Sequence, residues 1–428
     1  MKPLKVLMIL LLWPMLMWAQ TLTLDECQRL AQENYPLIKR YSLIEQTTDY
    51  TLANISKGWL PQISATAQAT LQSDVMSFPN AMKGVFAQTG QELKGLSKNQ
   101  YRVGIDINQT IYDGGSINSQ REVARLQGDV QSAQNEVDLY AMRQRVSDLF
   151  FSILLTDERL KVNDDLQTLL ESNLTKLNSM LSYGLAMESD VSSMKAEQLK
   201  ARQQRTELNA TRKSLCRMLA LMCGVDEIDA IQSSTVNHLM VGGQSNNRPE
   251  LRLIDQQLRL ADAQEKLLDS SLLPRLSLFA QGFYGYPGYN TFEDMFSRKW
   301  SLNGMVGARL SWNISSFYTN KGEKAKLQLQ RQQAENARET FLFNNNLQQV
   351  QQNEEIAKYR QLMEDDSSIV NLRTEVRKAS ESKLAHGIID TNALLQDINR
   401  ENQAKIELAT HEVMLWQQIE NLKYTLGN

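Results

Sequence analysis

Residues 101–183 restrict this chain to very few folds, because they read as a short strand, a turn and then one helix of extreme length. Over 102–108 the sequence RVGIDIN places Val103, Ile105 and Ile107 on one face and Arg102, Asp106 and Asn108 on the other. That period of two marks a half-buried strand. Tyr112-Asp113-Gly114-Gly115 follows with turn chemistry, since glycine takes backbone angles other residues avoid. No proline then occurs before Pro249, and Val123, Leu126, Val130, Ala133, Val137 and Tyr140 recur at steps of three and four. This is the spacing of helices that supercoil against neighbours. It loosens but continues through Leu166, Leu170, Leu174, Leu177 and Leu181 to Tyr183-Gly184. A helix over 116–182 would be about 100 Å long at 1.5 Å per residue. No compact domain needs such an element.

The N-terminus stands apart from the fold. Lys2 and Lys5 precede VLMILLLWPMLMW, and Ala19 supplies a small residue before a cut at Gln20. As a helix this run spans only about 20 Å, short of the membrane core, so a signal peptide over 1–19 is preferred to an anchor. Export follows from it. After the cut no apolar run of helical-span length remains, which leaves amphipathic strands as the means of entering a membrane. A net charge of −3, well mixed, gives no electrostatic case for nucleic acid. Cys27, Cys216 and Cys223 cannot all pair within one chain, and their spacing suggests no zinc site.

The plan occurs twice. Asn34-Tyr35-Pro36 returns as Asn247-Arg248-Pro249, Leu60-Pro61 as Leu273-Pro274, Val103-Gly104 as Val306-Gly307, and Tyr183-Gly184 as His386-Gly387. The first two pairs share one offset and the last two another, the difference being absorbed in a shorter second strand loop. A duplication explains four landmarks under two consistent offsets. It predicts a first repeat over 20–223, with a strand hairpin about 60–112 and a helix hairpin about 115–222. A linker over 224–247, carrying Gly242-Gly243, separates it from a second repeat over 248–428. That repeat has its strand hairpin about 273–314 and its helix hairpin about 320–426.

The strands state their two faces openly. Ile63, Ala65, Ala67, Ala69 and Leu71 alternate with Gln62, Ser64, Thr66, Gln68, Thr70 and Gln72. Trp300, Leu302, Val306, Ala308, Leu310, Trp312 and Ile314 share a face, opposite Ser301, Asn303, Arg309, Ser311 and Asn313. The third strand, 276–286, is rich in Phe and Tyr and alternates less cleanly. Trp300 and Trp312 are spaced as two aromatic girdles facing lipid, about 30 Å apart along the membrane normal if the strand is tilted. Arg102, Asp106 and Arg309 fall on the polar face and would border an aqueous lumen. A water-soluble sandwich is the competing reading, but four strands are too few for a sandwich of this mass. Four strands also cannot close a membrane barrel, and an open edge in lipid strands unpaired backbone groups, so the chain must oligomerise. The expected fold is mainly α with a membrane β-barrel, the long helical hairpins forming an α-barrel coaxial with it.

With these landmarks in place, the mature chain resembles the TolC family of outer-membrane efflux proteins. The residues that carry the resemblance are the ordered set Pro36, Pro61, Tyr112-Asp113-Gly114-Gly115 and Tyr183-Gly184, its copy from Pro249 to Gly387, and YGLAMESDVSSMKAE from Tyr183. The resemblance implies a homotrimer with a twelve-stranded barrel in the outer-membrane lipid and a large periplasmic helical tunnel. It also implies docking to a periplasmic adaptor protein and an inner-membrane efflux or secretion transporter. The family narrows at the helix reversals, where an aspartate six residues after the turn glycine serves the closing network; here that residue is Asp190. In the second copy the matching position is Ala393, the further acidic position is Gln396, and a latch arginine of some members is replaced by Ile389. Asp390 and Asp397 lie close by as substitutes. Asp190 reads equally well as a helix-start residue favoured by the dipole, and Gly184 and Gly387 serve the reversals themselves.

No enzyme is visible: His238, His386 and His411 are scattered, no HExxH or GxSxG occurs, and no cofactor or metal is expected. The reading is an outer-membrane exit duct for small molecules or proteins. The alternative is a periplasmic adaptor or structural coiled-coil protein without a membrane barrel.

Overall fold

The computed structural model describes residues 22–90, 92, 94–232 and 246–427. The expected signal peptide, Gly242-Gly243 and His238 lie outside the described residues. Two compact units emerge, one gathering the chain up to Tyr41 with Ala133–Leu253 and Arg338–Asn428, the other joining Ser42–Ser132 to Ile254–Ala337. Each unit draws on both halves of the chain, so compactness cuts across the two sequence copies.

The elements run α1 (Leu24–Asn34), α2 (Ile38–Ser56), β1 (Gln62–Leu71), α3 (Asn80–Gln88), β2 (Asn99–Tyr112), α4 (Ser116–Ser182) and α5 (Glu188–Cys223). The order then repeats as α6 (Pro249–Ser270), β3 (Arg275–Tyr286), α7 (Thr291–Ser297), β4 (Ser301–Ser311), α8 (Ser316–Ala385) and α9 (Thr391–Leu426). Helix α4 has 67 residues and α8 has 70, so the periodicity over 116–182 becomes one helix and its counterpart in the second repeat is equally unbroken. Asp113 starts α4: its carboxylate, 4% exposed, accepts from the Gly115 and Ile117 amides. These are donors that a helix start otherwise leaves unpaired.

In the sheet-bearing unit the four strands form one antiparallel sheet in the order β1-β2-β3-β4. The two hairpins therefore join through β2 and β3, whose ladder runs from Tyr101 opposite Tyr286 to Thr110 opposite Ser277. Helix α6 packs Ala263, Leu260 and Leu267 against Val123 and Leu126 of α4. Lys324 and Arg331 of α8 bind its acidic side at Asp262, Glu265 and Asp269. The loops between β1 and β2 and between β3 and β4 hold the short helices α3 and α7. Contacts among Phe78, Phe86, Phe292 and Phe296 fasten these short helices together, which no local pattern announces.

Among the described residues the helical unit has three apolar cores. One brings Cys27 and Ala31 of α1 against Phe150 and Ile153 of α4, and Leu219 and Cys223 of α5. A second closes over Leu170, Leu177, Met194, Leu394 and Ile398, joining α4, α5 and α9. The third packs Ile356 of α8 on Leu415, Ile419 and Leu422 of α9.

Candidate functional site

Register sorts the sheet into two faces, because directly opposed residues of an antiparallel pair point the same way. Ile63 lies opposite Ile107, Ala65 opposite Ile105, and Ala67 opposite Val103. Val103 in turn meets Tyr284, and Tyr284 meets Leu302. The apolar alternations of all four strands thus merge into one continuous face, and it is bare: Leu302 is 82% exposed and Val306 80%. Trp300 and Trp312 flank β4 on this face. Trp300 stacks on Tyr101 at 6.2 Å and leans on Tyr284 at 5.4 Å, while the Trp312 indole donates to the Leu272 carbonyl at 2.9 Å. Among the described residues no strand covers the outer edge of β1 or of β4.

The opposite face is a hydrogen-bonded polar surface. Asp106 accepts from Thr66 at 3.2 Å and Gln281 at 2.6 Å, and Arg102 donates to Gln68 at 3.0 Å. Arg309 lies over the Phe279 ring at 4.9 Å and Arg102 over Phe283 at 5.1 Å. Here is the reason β3 alternates poorly: Phe279 and Phe283 belong to the polar face, each covering a glycine of the next strand. A Cβ on Gly307 would fall 2.8 Å from the Phe279 ring, and one on Gly104 would fall 2.8 Å from Phe283 Cβ and the Gly282 carbonyl. Aromatic cover of strand glycines permits close approach and strong curvature. Gly104→Ala is expected to cost about 1–3 kcal/mol through overpacking against backbone. A lowered temperature of heat-modified gel migration would show it; unchanged migration would mean the ring gives way freely.

In the helical unit both reversals use the same backbone. Gly184 has φ 72° and Gly387 φ 68°, in the left-handed region. Leu185 N donates to Met180 O at 2.8 Å, and Ile388 N to Lys383 O at 2.9 Å, the six-to-one bond of a glycine-terminated helix. The restarts differ. Asp190, three residues inside α5, accepts from the Met187 amide at 2.9 Å, whereas Asp390 is itself the cap of α9 and accepts from Ala393 N at 2.8 Å. The acid has moved from the third helical position to the cap, so the departure at Ala393 preserves a capped helix start. Asp397 is engaged elsewhere, by Ser380 at 2.7 Å and Arg400 at 3.3 Å. Tyr183, Leu185, Met187 and Ile388 are exposed beside the reversals.

Neither a sequence-family model nor a curated protein sequence matches this chain. Solved structures do. The outer-membrane channel OprN superposes with a TM-score of 0.70 at 15% identity, over 94% of this chain and 89% of its own. CusC, whose structures concern transmembrane channel formation, gives 0.69 at 12% identity over 94% and 91%. The outer membrane protein VceC of Vibrio cholerae gives 0.67 at 11% identity over 95% and 96%. The chain has the TolC fold. Identities this low carry the backbone path, so side-chain roles must be argued from this molecule.

Two clusters in this TolC-fold chain depend on contacts between elements that local sequence does not show. Between α8 and α9, the Glu401 carboxylate is 2% exposed and accepts from Arg377 Nε at 2.6 Å, Thr374 at 3.0 Å and Lys405 at 3.0 Å. Arg377 also reaches Glu381 at 3.1 Å, and Asn173 of α4 donates to Glu381 at 3.0 Å. The i, i+4 pairs Arg377–Glu381 and Glu401–Lys405 were readable, but as ordinary solvated helix pairs. At the start of α6, the Arg248 guanidinium lies over Tyr424 at 4.5 Å and Tyr140 at 4.9 Å, beside Glu250. Burial pushes the Tyr140 phenol up to about 12, and its hydroxyl donates to the Tyr424 carbonyl at 2.7 Å. Among the described residues no group of His, Cys, Asp and Glu could hold a metal, and no helix is long and apolar enough to cross a membrane.

Proposed function

We propose that three copies of this chain form an outer-membrane exit duct, each contributing four strands to a twelve-stranded barrel and its helices to a periplasmic tunnel. The observation that carries this reading is the continuous, exposed apolar face bounded by two uncovered strand edges. In water such a face would be an aggregation hazard, and in lipid an open edge leaves unpaired backbone groups costing several kcal/mol each. Sister chains on both edges answer both problems at once. The polar face with Arg102, Asp106 and Arg309 then borders the aqueous lumen, and Trp300 and Trp312 mark the two lipid interfaces. Small molecules or proteins leave the periplasm through this path, driven by an inner-membrane transporter through a periplasmic adaptor. The exposed apolar residues at the Gly184 and Gly387 reversals suit that contact. No catalytic step, cofactor or metal enters the reading.

The test is outer-membrane fractionation followed by conductance in planar bilayers. An oligomer that needs detergent for extraction and conducts ions is expected; a monomer released by salt alone would overturn the reading. The same recordings examine Asp190. Asp190→Ala removes both the acceptor for the Met187 amide and the charge, so about 1 kcal/mol of helix-start stability is lost and the closed aperture widens, seen as higher conductance. Asp190→Asn keeps an acceptor for the Met187 amide and removes only the charge. Raised conductance in both variants assigns the charge to the aperture, whereas unchanged conductance in both leaves Asp190 as a helix-start residue.

A further inference from the structure

The three cysteines share one apolar core, but they are not equivalent. Cys27 is 0% exposed and Cys223 is 3% exposed. The Cys223 thiol donates to the Cys27 carbonyl at 3.5 Å, and both side chains belong to one apolar core. Cys216 sits seven residues earlier on α5, about 10 Å along the same helix axis from Cys223, so those two cannot meet without unwinding α5. The surroundings of Cys27 and Cys223 are already fixed. Asn34 at the end of α1 donates to the Leu221 and Met222 carbonyls at 3.3 Å each, and Leu22 bridges to Ile231. The Thr23–Glu26 capping box pins the start of α1.

We propose that Cys27 and Cys223 are joined by a disulfide in the exported protein, leaving Cys216 as its single free thiol. This settles the odd count that the sequence leaves open. The inference rests on the export reading above, because only an oxidising compartment maintains such a bond. The chemistry is thiol–disulfide exchange with a disulfide-bearing oxidant, a protein or a glutathione-type small molecule. Either thiol of the pair can open the exchange, and both orders give the same bond. In one order the Cys223 thiolate attacks the oxidant's disulfide and expels one thiolate. Cys27, losing its proton to solvent or to that departing thiolate, then attacks the mixed disulfide and releases the second. Two thiols are oxidised and one external disulfide is reduced to two thiols. Both sulfurs are enclosed in the finished core, so exchange takes place while α1 is docking. The bond joins positions 196 apart and encloses the first strand hairpin and the first long helix hairpin. A loop of that length gives a large loss of freedom in the unfolded chain.

The test counts thiols in the full chain isolated from cells. Protein denatured in a maleimide blocking reagent is expected to take one label, at Cys216, and two more after reduction, with peptides containing Cys27 and Cys223 linked before it. Reduction is expected to lower the unfolding temperature by about 5 °C or more. Cys27→Ser, Cys223→Ser and the double variant should each show that same loss and no further response to reductant. Three free thiols in protein recovered from the envelope would overturn the inference, as would a linkage through Cys216. If the protein is not found in the envelope, the export reading fails by itself. The chain is then refolded in a glutathione redox buffer, where a Cys27–Cys223 linkage sustains the pairing and its absence overturns it.

Discussion

Glu401→Ala is expected to destabilise the helical unit by about 3 kcal/mol, measured as a loss in thermal or denaturant unfolding of detergent-solubilised protein. The carboxylate is buried and bound by Arg377, Lys405 and Thr374, so its removal leaves the Arg377 guanidinium, 12% exposed, with Glu381 as its remaining carboxylate. A half-satisfied buried charge costs more than the intact pair contributes. Burial pushes the Glu401 carboxyl up, but the hydrogen bonds from Arg377, Lys405 and Thr374 together outweigh it and hold the group below the usual carboxylate range. A folded-state pKa below the unfolded one gives stability that is complete above the ordinary carboxylate pKa and is lost as pH falls through the folded value. Unfolding followed downward from neutral pH should therefore show an acid-side loss that Glu401→Gln lacks. Equal acid profiles in the two proteins would remove this network from the account.

Val306→Arg is the second large effect, about 2–4 kcal/mol per chain for a cation near the bilayer midplane of the proposed lipid face. In the proposed trimer three copies in one barrel would multiply the cost, so assembly in the outer membrane should fall sharply. Val306 is central in β4, lies opposite Ala280, and is 80% exposed on the apolar face. Its neighbour Met305 lies opposite Gln281 on the polar face. Met305→Arg adds the same charge one residue away, and is expected to leave the yield of assembled protein within about twofold, since on the proposed lumen face a charge alters selectivity rather than insertion. Similar losses in both variants, read from the detergent-extracted outer-membrane fraction, would contradict the assignment of faces.

Much of the fold was legible because its signals are local and repeated. Period two in β1 and β4, and a proline-free run of threes and fours through α4, report backbone state wherever their partners are. The positive-φ glycines at 184 and 387 likewise report the reversals. The features that escaped depend on residues far apart in sequence. Phe279 and Phe283 look out of place in β3 until register sets them over Gly307 and Gly104. Helices α3 and α7 are short and their flanking residues favour turns, so their existence rests on aromatic contacts between two loops. Glu401 resembles any carboxylate on a long helix, and only the meeting of α8 with α9 buries it. The acid at the second reversal was visible as Asp390, but its role as the cap of α9 needed the observed helix start.

The central claim is that the free edges of β1 and β4 are completed by sister chains, and inter-chain cysteine cross-linking tests it most directly. Single cysteines at Ala65, Ala67 or Ala69 of β1 would be combined with cysteines at Val306, Ala308 or Leu310 of β4, and oxidised in isolated outer membranes. Some register is predicted to give a ladder of dimer and trimer that requires both engineered cysteines and stops at three chains. A chain that stays monomeric at every combination, or a ladder that continues past three, would contradict the account.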